Sequence, residues 1–259
     1  MNQQCDWKEV WEKRAAPEVS DFEFDRGTTP RDREMERLSE EELVEFIDAR
    51  PSDILLDAGC GTGVNILLLH SRVQQIIAMD YAGAAVVRCQ KRLAAHGITN
   101  TEVSQGDIST TNLPDASVDR ILCMSVLQYI DDEQVQSAFR EFARVLKPEG
   151  TLVLHVKNLS SLYLSTLWLM KRLLLALKKE IKLEYFRTFG WYVKELSAAG
   201  FRVEMYRSLN LFMVERMPRR LVLWLQGIEL SHQGQFPFSL PFLRRHGSDL
   251  KFRARLASR

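Results

Sequence analysis

A glycine-rich turn after a short apolar run is the feature that most constrains the fold of this 259-residue chain. Residues 54–63 read Ile-Leu-Leu-Asp-Ala-Gly-Cys-Gly-Thr-Gly, and a helical pattern begins at Val64. Glycine adopts backbone conformations that other residues avoid, and it lets a ligand approach the main chain. A strand, a glycine loop and a helix in this order are typical of nucleotide-binding α/β proteins. The pattern therefore predicts a nucleotide cradle at the end of the first strand.

Carboxylates follow the next two predicted strands. The apolar run 75–80 ends in Asp80, about one helix and one strand after Asp57. Asp107 follows the short run 101–105 and a glycine. A carboxylate at the tip of the second strand can accept hydrogen bonds from both hydroxyls of a ribose. We therefore expect these acids to meet at one edge of the sheet.

Strand-like runs alternate with helical patterns through residue 156, which predicts βαβ units and a parallel sheet. One helix is expected from Ala84 to Ala95, before Gly97, and another after Thr188 as the capping residue. The last strand candidate, residues 250–256, alternates apolar and basic residues. Such alternation favours an antiparallel edge strand with one face in water.

Composition excludes several kinds of protein. Lys and Arg number 35 against 34 Asp and Glu, so no overall positive field favours nucleic acid. The four cysteines contain no CxxC pair, and we therefore predict neither a metal site nor a disulfide framework. A reducing compartment is expected, and the polar N-terminus shows no signal peptide. A cytoplasmic protein is the resulting expectation.

These residues together resemble class I S-adenosylmethionine-dependent methyltransferases, most strongly over residues 54–156. A dinucleotide fingerprint would place its third glycine at position 64, where Val64 stands; here the third glycine is Gly63. Residues 144–150 match the family's Arg-Val-Leu-Lys-Pro-Gly-Gly, with Glu149 replacing one glycine. The resemblance implies an α/β fold, with a Rossmann-like, seven-stranded, mostly parallel sheet flanked by helices and an antiparallel last strand.

The resemblance also implies S-adenosylmethionine as cofactor and S-adenosylhomocysteine as product. The backbone N–H groups of Ala58, Gly59 and Gly61 would face the methionine carboxylate, helped by the helix N-terminus that follows. Asp57 would hold the ammonium group, and Asp80 would hold the ribose. A tight turn and a strand-end acid are the plainer interpretations of the same residues.

Five further positions complete the cofactor site that the resemblance implies. Tyr81 would lie against the adenine, Asp107 would accept from its amino group, and the Ile108 backbone would lie close by. Met124 and Ser125, at the tip of the fourth strand, would lie near the methionine moiety. A helix or turn cap remains the alternative for Asp107, and simple packing remains the alternative for Tyr81.

The catalytic residue stays unassigned at this stage. O-methylation is favoured over N- or C-methylation, and the candidate bases near the sheet tips are Tyr129 and His155. Tyrosine, with a pKa of about 10, is a poor base unless strongly shifted. His155 stands inside a predicted strand, which favours a structural histidine. The reaction is also compatible with no protein base at all.

We divide the chain into an N-terminal helical cap, residues 1–50, and a methyltransferase domain, residues 51–259. Insertions are expected at about 158–187 and 208–249. Residues 159–177 are very apolar but are interrupted by the pair Lys171-Arg172. Three interpretations stay open: a buried helix, a lid over a hydrophobic acceptor, or a helix lying on a membrane.

The C-terminal residues 215–259 hold nine basic residues against three acids. This is a solvated basic face or a surface for a phosphate-bearing acceptor or an anionic membrane. The expected partner is a small-molecule, glycan or lipid-linked acceptor and no nucleic acid. Peripheral contact with the inner face of a membrane, through residues 159–182 and the basic C-terminus, is a further expectation, and an oligomer is compatible with the sequence.

Two rival classes are weighed against the methyltransferase. A nicotinamide-dependent oxidoreductase is disfavoured by the position of Gly63 and by the Asp107 motif. A non-catalytic cofactor-binding interaction module is disfavoured because the three acids Asp57, Asp80 and Asp107 are all present.

Overall fold

Seven strands form one sheet in the computed structural model, which describes residues 6–15, 33–176, 184–209 and 248–257. In chain order they are β1 (Ile54–Ala58), β2 (Gln75–Asp80), β3 (Thr101–Gln105), β4 (Val118–Met124), β5 (Leu146–Lys157), β6 (Phe201–Leu209) and β7 (Asp249–Leu256). Their order across the sheet is β3-β2-β1-β4-β5-β7-β6. The first five pair in parallel, and β7 is antiparallel to both neighbours. The predicted fold class is confirmed.

Helices flank this sheet. Those described are α1 (Trp7–Arg14), α2 (Arg33–Ile47), α3 (Val64–Leu69), α4 (Gly83–Ala95), α5 (Asp132–Val145), α6 (Leu162–Ala176) and α7 (Phe189–Ala198). The predicted helix at 84–95 is confirmed as α4. The capping prediction for Thr188 is also confirmed, because its Oγ1 accepts a hydrogen bond from Trp191 N at 3.2 Å.

Both faces of the sheet are buried by apolar side chains. Alternate residues of a strand point to opposite faces. Accordingly, Leu56 belongs to the cluster that includes Phe142 of α5, while its neighbour Leu55 belongs to the cluster that includes Phe46 of α2. Burial on two sides explains why β1 and β2 are mostly apolar, whereas β3, at the edge of the sheet, is polar. The rigid sheet fixes the positions of the acids at its carboxyl edge.

Strand β7 is not an edge strand, and this prediction was wrong. It lies between β5 and β6, so β6 is the edge. Its alternate basic side chains meet acids instead of water: Lys251 pairs with Glu42, Arg253 with Asp48 at 3.1 Å, and Arg255 with Glu204 at 2.6 Å. Ion pairing lets a basic face be covered by another element. The pattern within β7 carries no information about these acids, which lie on α2, just after α2 and on β6.

Several expectations fall outside the described residues. They include residues 177–183 at the end of the apolar segment and most of the second insertion, 210–247. The boundaries of the proposed cap and domain stay predictions. Among the described helices, none is long and apolar enough to cross a bilayer.

Candidate active site

The glycine turn is held between strand β2 and the loop after β4. Gly59 N and Cys60 N both donate to Met79 O, at 2.8 and 2.9 Å. Gly59 has φ 88°, and a Cβ there would lie 2.2 Å from Val126 Cγ2. Gly63 has φ 84° and precedes α3 directly. No larger residue fits at Gly59, so the main chain of the turn stays bare at the sheet edge.

Asp57 presents an unpaired, buried carboxylate at the end of β1. It is 1% exposed, and neither carboxylate oxygen has a hydrogen-bond partner in the described part of the chain. Burial, and to a lesser degree the charge of Asp80, raises the pKa of Asp57 to about 7. A buried acid without a partner is costly, and native proteins rarely keep one without a function. A bound cation would satisfy it.

Asp80 joins the glycine turn to the start of α4. Its Oδ2 accepts from Gly61 N and its Oδ1 from Ala82 N, both at 2.9 Å. Burial raises the pKa of Asp80, although these backbone hydrogen bonds oppose the rise. Each carboxylate oxygen has a second lone pair, so the group keeps capacity to accept from a diol.

The structure brings Asp107 next to Asp80, because Gly106 N donates to Asp80 O at 3.0 Å. Oδ1 of Asp107 accepts from the backbone N and the Oγ of Ser109, at 2.8 and 2.7 Å. Asp107 thus caps the turn, as the alternative interpretation expected. The cap uses one of its two carboxylate oxygens. Ile108 is buried beside this turn.

Tyr81 lies at the open rim of the site. Its ring is 53% exposed, with Lys8 Nζ of helix α1 4.7 Å from the ring centre. Met124 ends strand β4, and Ser125 follows it with φ 59°. The predicted cofactor residues therefore share one edge of the sheet, where β1, β2 and β4 end. Their roles stay predictions.

The two candidate bases differ in their surroundings. Tyr129 packs against Trp7 and Trp11 of α1, with ring centres 4.7 and 5.1 Å away. Burial raises its pKa further above the ordinary tyrosine value, which disfavours it as a base. His155 is level with the end of β4, because its register partner is Met124. Its Nδ1 lies 2.7 Å from Ser125 Oγ.

Two residues at the site carried no usable sequence signal. Glu12 of α1 accepts from Gly83 N at 2.7 Å and from Ala84 N at 2.9 Å, and so caps α4 from 71 residues away. Asp249 of β7 lies 3.4 Å from His155 Nε2. Both contacts join distant parts of the chain, and no local spacing predicts them.

One structural observation above all shows that these residues fit S-adenosylmethionine. The orphaned carboxylate of Asp57 lies directly under a bare main-chain turn and beside the free acceptor capacity of Asp80. An amino acid ammonium, its carboxylate and a ribose are the groups that such neighbours would bind.

A family profile described as a methyltransferase domain matches residues 55–150, from β1 into β5. Residues 55–150 thus form a methyltransferase domain of the class I, S-adenosylmethionine-dependent type. The cofactor of the domain family is S-adenosylmethionine. A probable S-adenosylmethionine-dependent methyltransferase of Mycobacterium tuberculosis is 36% identical over 105 residues, which cover 40% of this chain and 35% of that protein.

Malonyl-[acyl-carrier protein] O-methyltransferase of Serratia marcescens is 33% identical over 113 residues, 44% of this chain and 42% of that protein. The chain thus spans less than half the length of either relative. The crystal structure of geranyl diphosphate C-methyltransferase from Streptomyces coelicolor A3(2) superposes with a TM-score of 0.61 at 17% identity. That match covers 93% of this chain and 86% of the other, and it shows a shared fold.

Proposed function

We propose that this protein transfers the methyl group of S-adenosylmethionine to an oxygen atom of a small-molecule, glycan or lipid-type acceptor. The observation that carries the proposal is the unpaired, buried carboxylate of Asp57 beneath the glycine turn. Without a cationic ligand, the desolvation of this carboxylate would destabilise the protein and nothing would offset it.

In this proposal the residues of the chain bind the cofactor and orient it. Asp57 pairs with the ammonium group, and Asp80 accepts from the ribose while it holds Gly61 in place. The N-terminus of α3 and the turn amides attract the carboxylate. When bound, the cofactor supplies an electrophilic methyl group on a sulfonium. The protein therefore has mainly to position an acceptor oxygen and exclude water.

The apolar character of the acceptor is supported by helix α6. Leu169 and Met170 are 56% and 53% exposed, which is unusual for large apolar side chains. The charged pair that interrupts this helix is engaged locally: Lys171 contacts Glu184 at 3.1 Å, and Arg172 lies 4.6 Å from the Trp168 ring centre. One relative is named for O-methylation of an acyl compound, and one structural neighbour is named for C-methylation of geranyl diphosphate; both acceptors are partly apolar, which supports an apolar acceptor here.

Peripheral membrane contact is retained as a proposal for residues 159–182 and the C-terminal basic residues. Three of those basic residues contribute little, because they already pair with acids: Lys251, Arg253 and Arg255. The contact would therefore depend on α6 and on the remaining cations. Flotation of the full chain with phosphatidylglycerol vesicles tests this; equal recovery with neutral vesicles would exclude the electrostatic contribution.

The cofactor is tested by calorimetry on the full chain with S-adenosylhomocysteine, S-adenosylmethionine and NAD. We expect binding of the first two only. Asp80→Ala should weaken binding more than tenfold, since the ribose loses its acceptors. Glu133→Ala, an exposed acid on α5, is the matched control and should bind as the parent does. Binding of NAD alone would support the oxidoreductase and overturn the proposal.

The reaction is tested with methyl-labelled S-adenosylmethionine and a panel of hydroxyl, phenol and carboxyl acceptors, including prenyl and acyl compounds. Label recovered as a methyl ether or ester supports the proposal. Label recovered only on nitrogen or carbon contradicts the oxygen acceptor. Tight cofactor binding with no label transferred to any acceptor, or to a cell extract, would favour the non-catalytic binder.

A further inference from the structure

A continuous chain of polar contacts crosses three neighbouring strands at the acceptor side of the site. Ser125 Oγ, at the end of β4, lies 2.7 Å from Nδ1 of His155 in β5. Nε2 of the same ring lies 3.4 Å from Oδ1 of Asp249 in β7. The sheet order β4-β5-β7 brings these residues together. The longer contact is within the range in which catalytic hydrogen bonds are found before substrate binds.

The backbone of Ser125 is held in a rarely used conformation. Its φ is 59°, in the left-handed region that non-glycine residues seldom adopt. Ser125 N donates to His155 O at 2.9 Å, and the next residue, Val126, packs on Gly59 of the glycine turn. Unfavourable backbone conformations of this kind cluster at functional sites. This one aims the serine between the glycine turn and the histidine.

The charges around His155 favour a neutral ring. Burial lowers the pKa of His155, and Asp249 offsets only part of that. Two cations also oppose protonation: Lys157, 2.6 Å from Asp249, and Lys251, which faces His155 in register and pairs with Glu42. A neutral imidazole is able to accept a proton at physiological pH.

Asp249 determines which ring nitrogen is free. Burial alone would raise the pKa of Asp249, but the hydrogen bond from His155 and the charge of Lys157 hold it below its usual range. The carboxylate therefore stays ionised and favours the tautomer in which Nε2 carries the proton and faces it. Nδ1 is left with a lone pair directed at the Ser125 hydroxyl. Serine–histidine–aspartate sites of unrelated folds divide the roles in the same way, but with the two ring nitrogens exchanged.

We propose that Ser125, His155 and Asp249 form a proton relay that deprotonates a hydroxyl acceptor during methyl transfer. The relay rests on the proposed methyltransferase function and names its base. Ser125 is the catalytic residue, because its hydroxyl would touch the acceptor. His155 and Asp249 are positioning residues that act through it.

The proposed step balances. The acceptor oxygen gains the methyl group, and the electron pair of the cleaved carbon–sulfur bond stays with sulfur. The acceptor gives its hydroxyl proton to Ser125 Oγ while Ser125 gives its own proton to Nδ1 of His155. The products are a methyl ether, a thioether and an imidazolium paired with Asp249. The side chain of His155 is 19% exposed, and through this exposed part the proton leaves to solvent.

The first test is a pH titration of the full chain by long-range ¹H–¹⁵N correlation of the histidine rings, with S-adenosylhomocysteine bound. We expect His155 to be neutral at pH 7 with its proton on Nε2. Asp249→Asn should lower its pKa by a unit or more and mix the two tautomers. His96, an exposed histidine on the far end of α4, should be unchanged. A proton on Nδ1 in the parent, or a protonated ring at pH 7, would overturn the relay.

The second test is the pH profile of methyl transfer to the hydroxyl and phenol acceptors. The parent rate should rise through the pKa measured for His155. His155→Gln should lose roughly 100-fold or more and the rise itself, while His96→Gln keeps both. An unchanged profile in His155→Gln would overturn the relay. S-adenosylhomocysteine affinity within twofold of the parent in His155→Gln separates this failure from a failure of the cofactor assignment.

A fluorophosphonate probe separates the relay from an acyl-transfer nucleophile, the other chemistry that such a triad performs. We expect no covalent labelling of Ser125. Stoichiometric labelling of Ser125 that disappears in His155→Gln would replace the proton relay with a serine nucleophile.

Discussion

Glu42 and Lys251 form a buried ion pair between helix α2 and strand β7, 209 residues apart in the chain. Both side chains are almost fully buried. Arg207 of β6 also reaches Glu42, at 3.4 Å. One acid on α2 therefore meets cations from the two C-terminal strands. Removing one member of such a pair leaves an uncompensated charge in the interior, whereas removing both does not.

We expect Glu42→Leu to destabilise the protein by about 3–5 kcal/mol, because it leaves the buried ammonium of Lys251 without its carboxylate. Lys251→Met should cost less, since Glu42 keeps Arg207. The double variant should be more stable than Glu42→Leu alone. Urea denaturation measures all three, with Glu133→Gln, an exposed acid on α5 outside this network, as control. Additive losses in the double variant would show that the pair is not coupled.

Asp57→Asn should stabilise the cofactor-free protein at pH 8 and weaken S-adenosylhomocysteine binding more than tenfold. The folded-state pKa of about 7 exceeds the ordinary value of 3.8, so the folded protein binds more protons between these values. Stability of the parent therefore falls as pH rises from 4 to 7, by at most on the order of 4 kcal/mol. Asp57→Asn lacks the titrating carboxyl group, so its stability should not fall over this pH range.

Thermal unfolding of both proteins at pH 5 and pH 8 measures the effect. The advantage of Asp57→Asn should be large at pH 8 and small at pH 5. The exposed Asp115→Asn should shift little at either pH. An advantage that is larger at pH 5 would mean that Asp57 is ionised and partnered in the cofactor-free protein.

Glu12→Ala should release helix α1 from the rim of the site. Gly83 N and Ala84 N lose the acceptors that cap α4, and capping is worth about 0.5–2 kcal/mol. Hydrogen exchange at these two amides should accelerate by about tenfold. Glu9→Ala is the matched control, because it removes an exposed acid from the same helix. Equal protection in both variants would show that α1 does not cap α4.

Glu149→Gly should stabilise the protein by about 0.5–1 kcal/mol. Glu149 has φ 62°, where an L-residue is strained and glycine is not. Its contact with Arg255, 3.8 Å between exposed groups, contributes little. Glu149→Ala removes that contact but keeps the strained backbone, so it should not stabilise. Urea denaturation decides; destabilisation by glycine would show that the side chain matters.

Local pattern was enough to predict the centre of this fold. The turn around Gly59 was predicted because only glycine tolerates its geometry, and the structure confirms φ 88° there. Strands β1 and β2 were predicted because burial on both faces leaves short, mostly apolar runs. The acids Asp57 and Asp80 were found for the same reason, since each ends such a run.

Long-range contacts were beyond the reach of the sequence. The basic face of β7 was expected in water because nothing near it indicates the acids of α2. Glu12 and Asp249 were missed because each acts on a partner tens of residues away. His155 was interpreted as structural from its place inside a strand. Its relation to Ser125 depends on sheet order, which no local spacing encodes.

The insertion of β7 between β5 and β6 has a consequence during translation. Among the described strands β7 leaves the ribosome last, yet β6 pairs with no other strand of the sheet. The nascent chain must therefore carry an open β5 edge and an unpaired β6 until synthesis reaches residue 256. Open edges of this kind invite chaperones and aggregation. Asp249, whose carboxylate we propose orients His155, is made with the same strand, so the proposed relay is incomplete until β7 has paired.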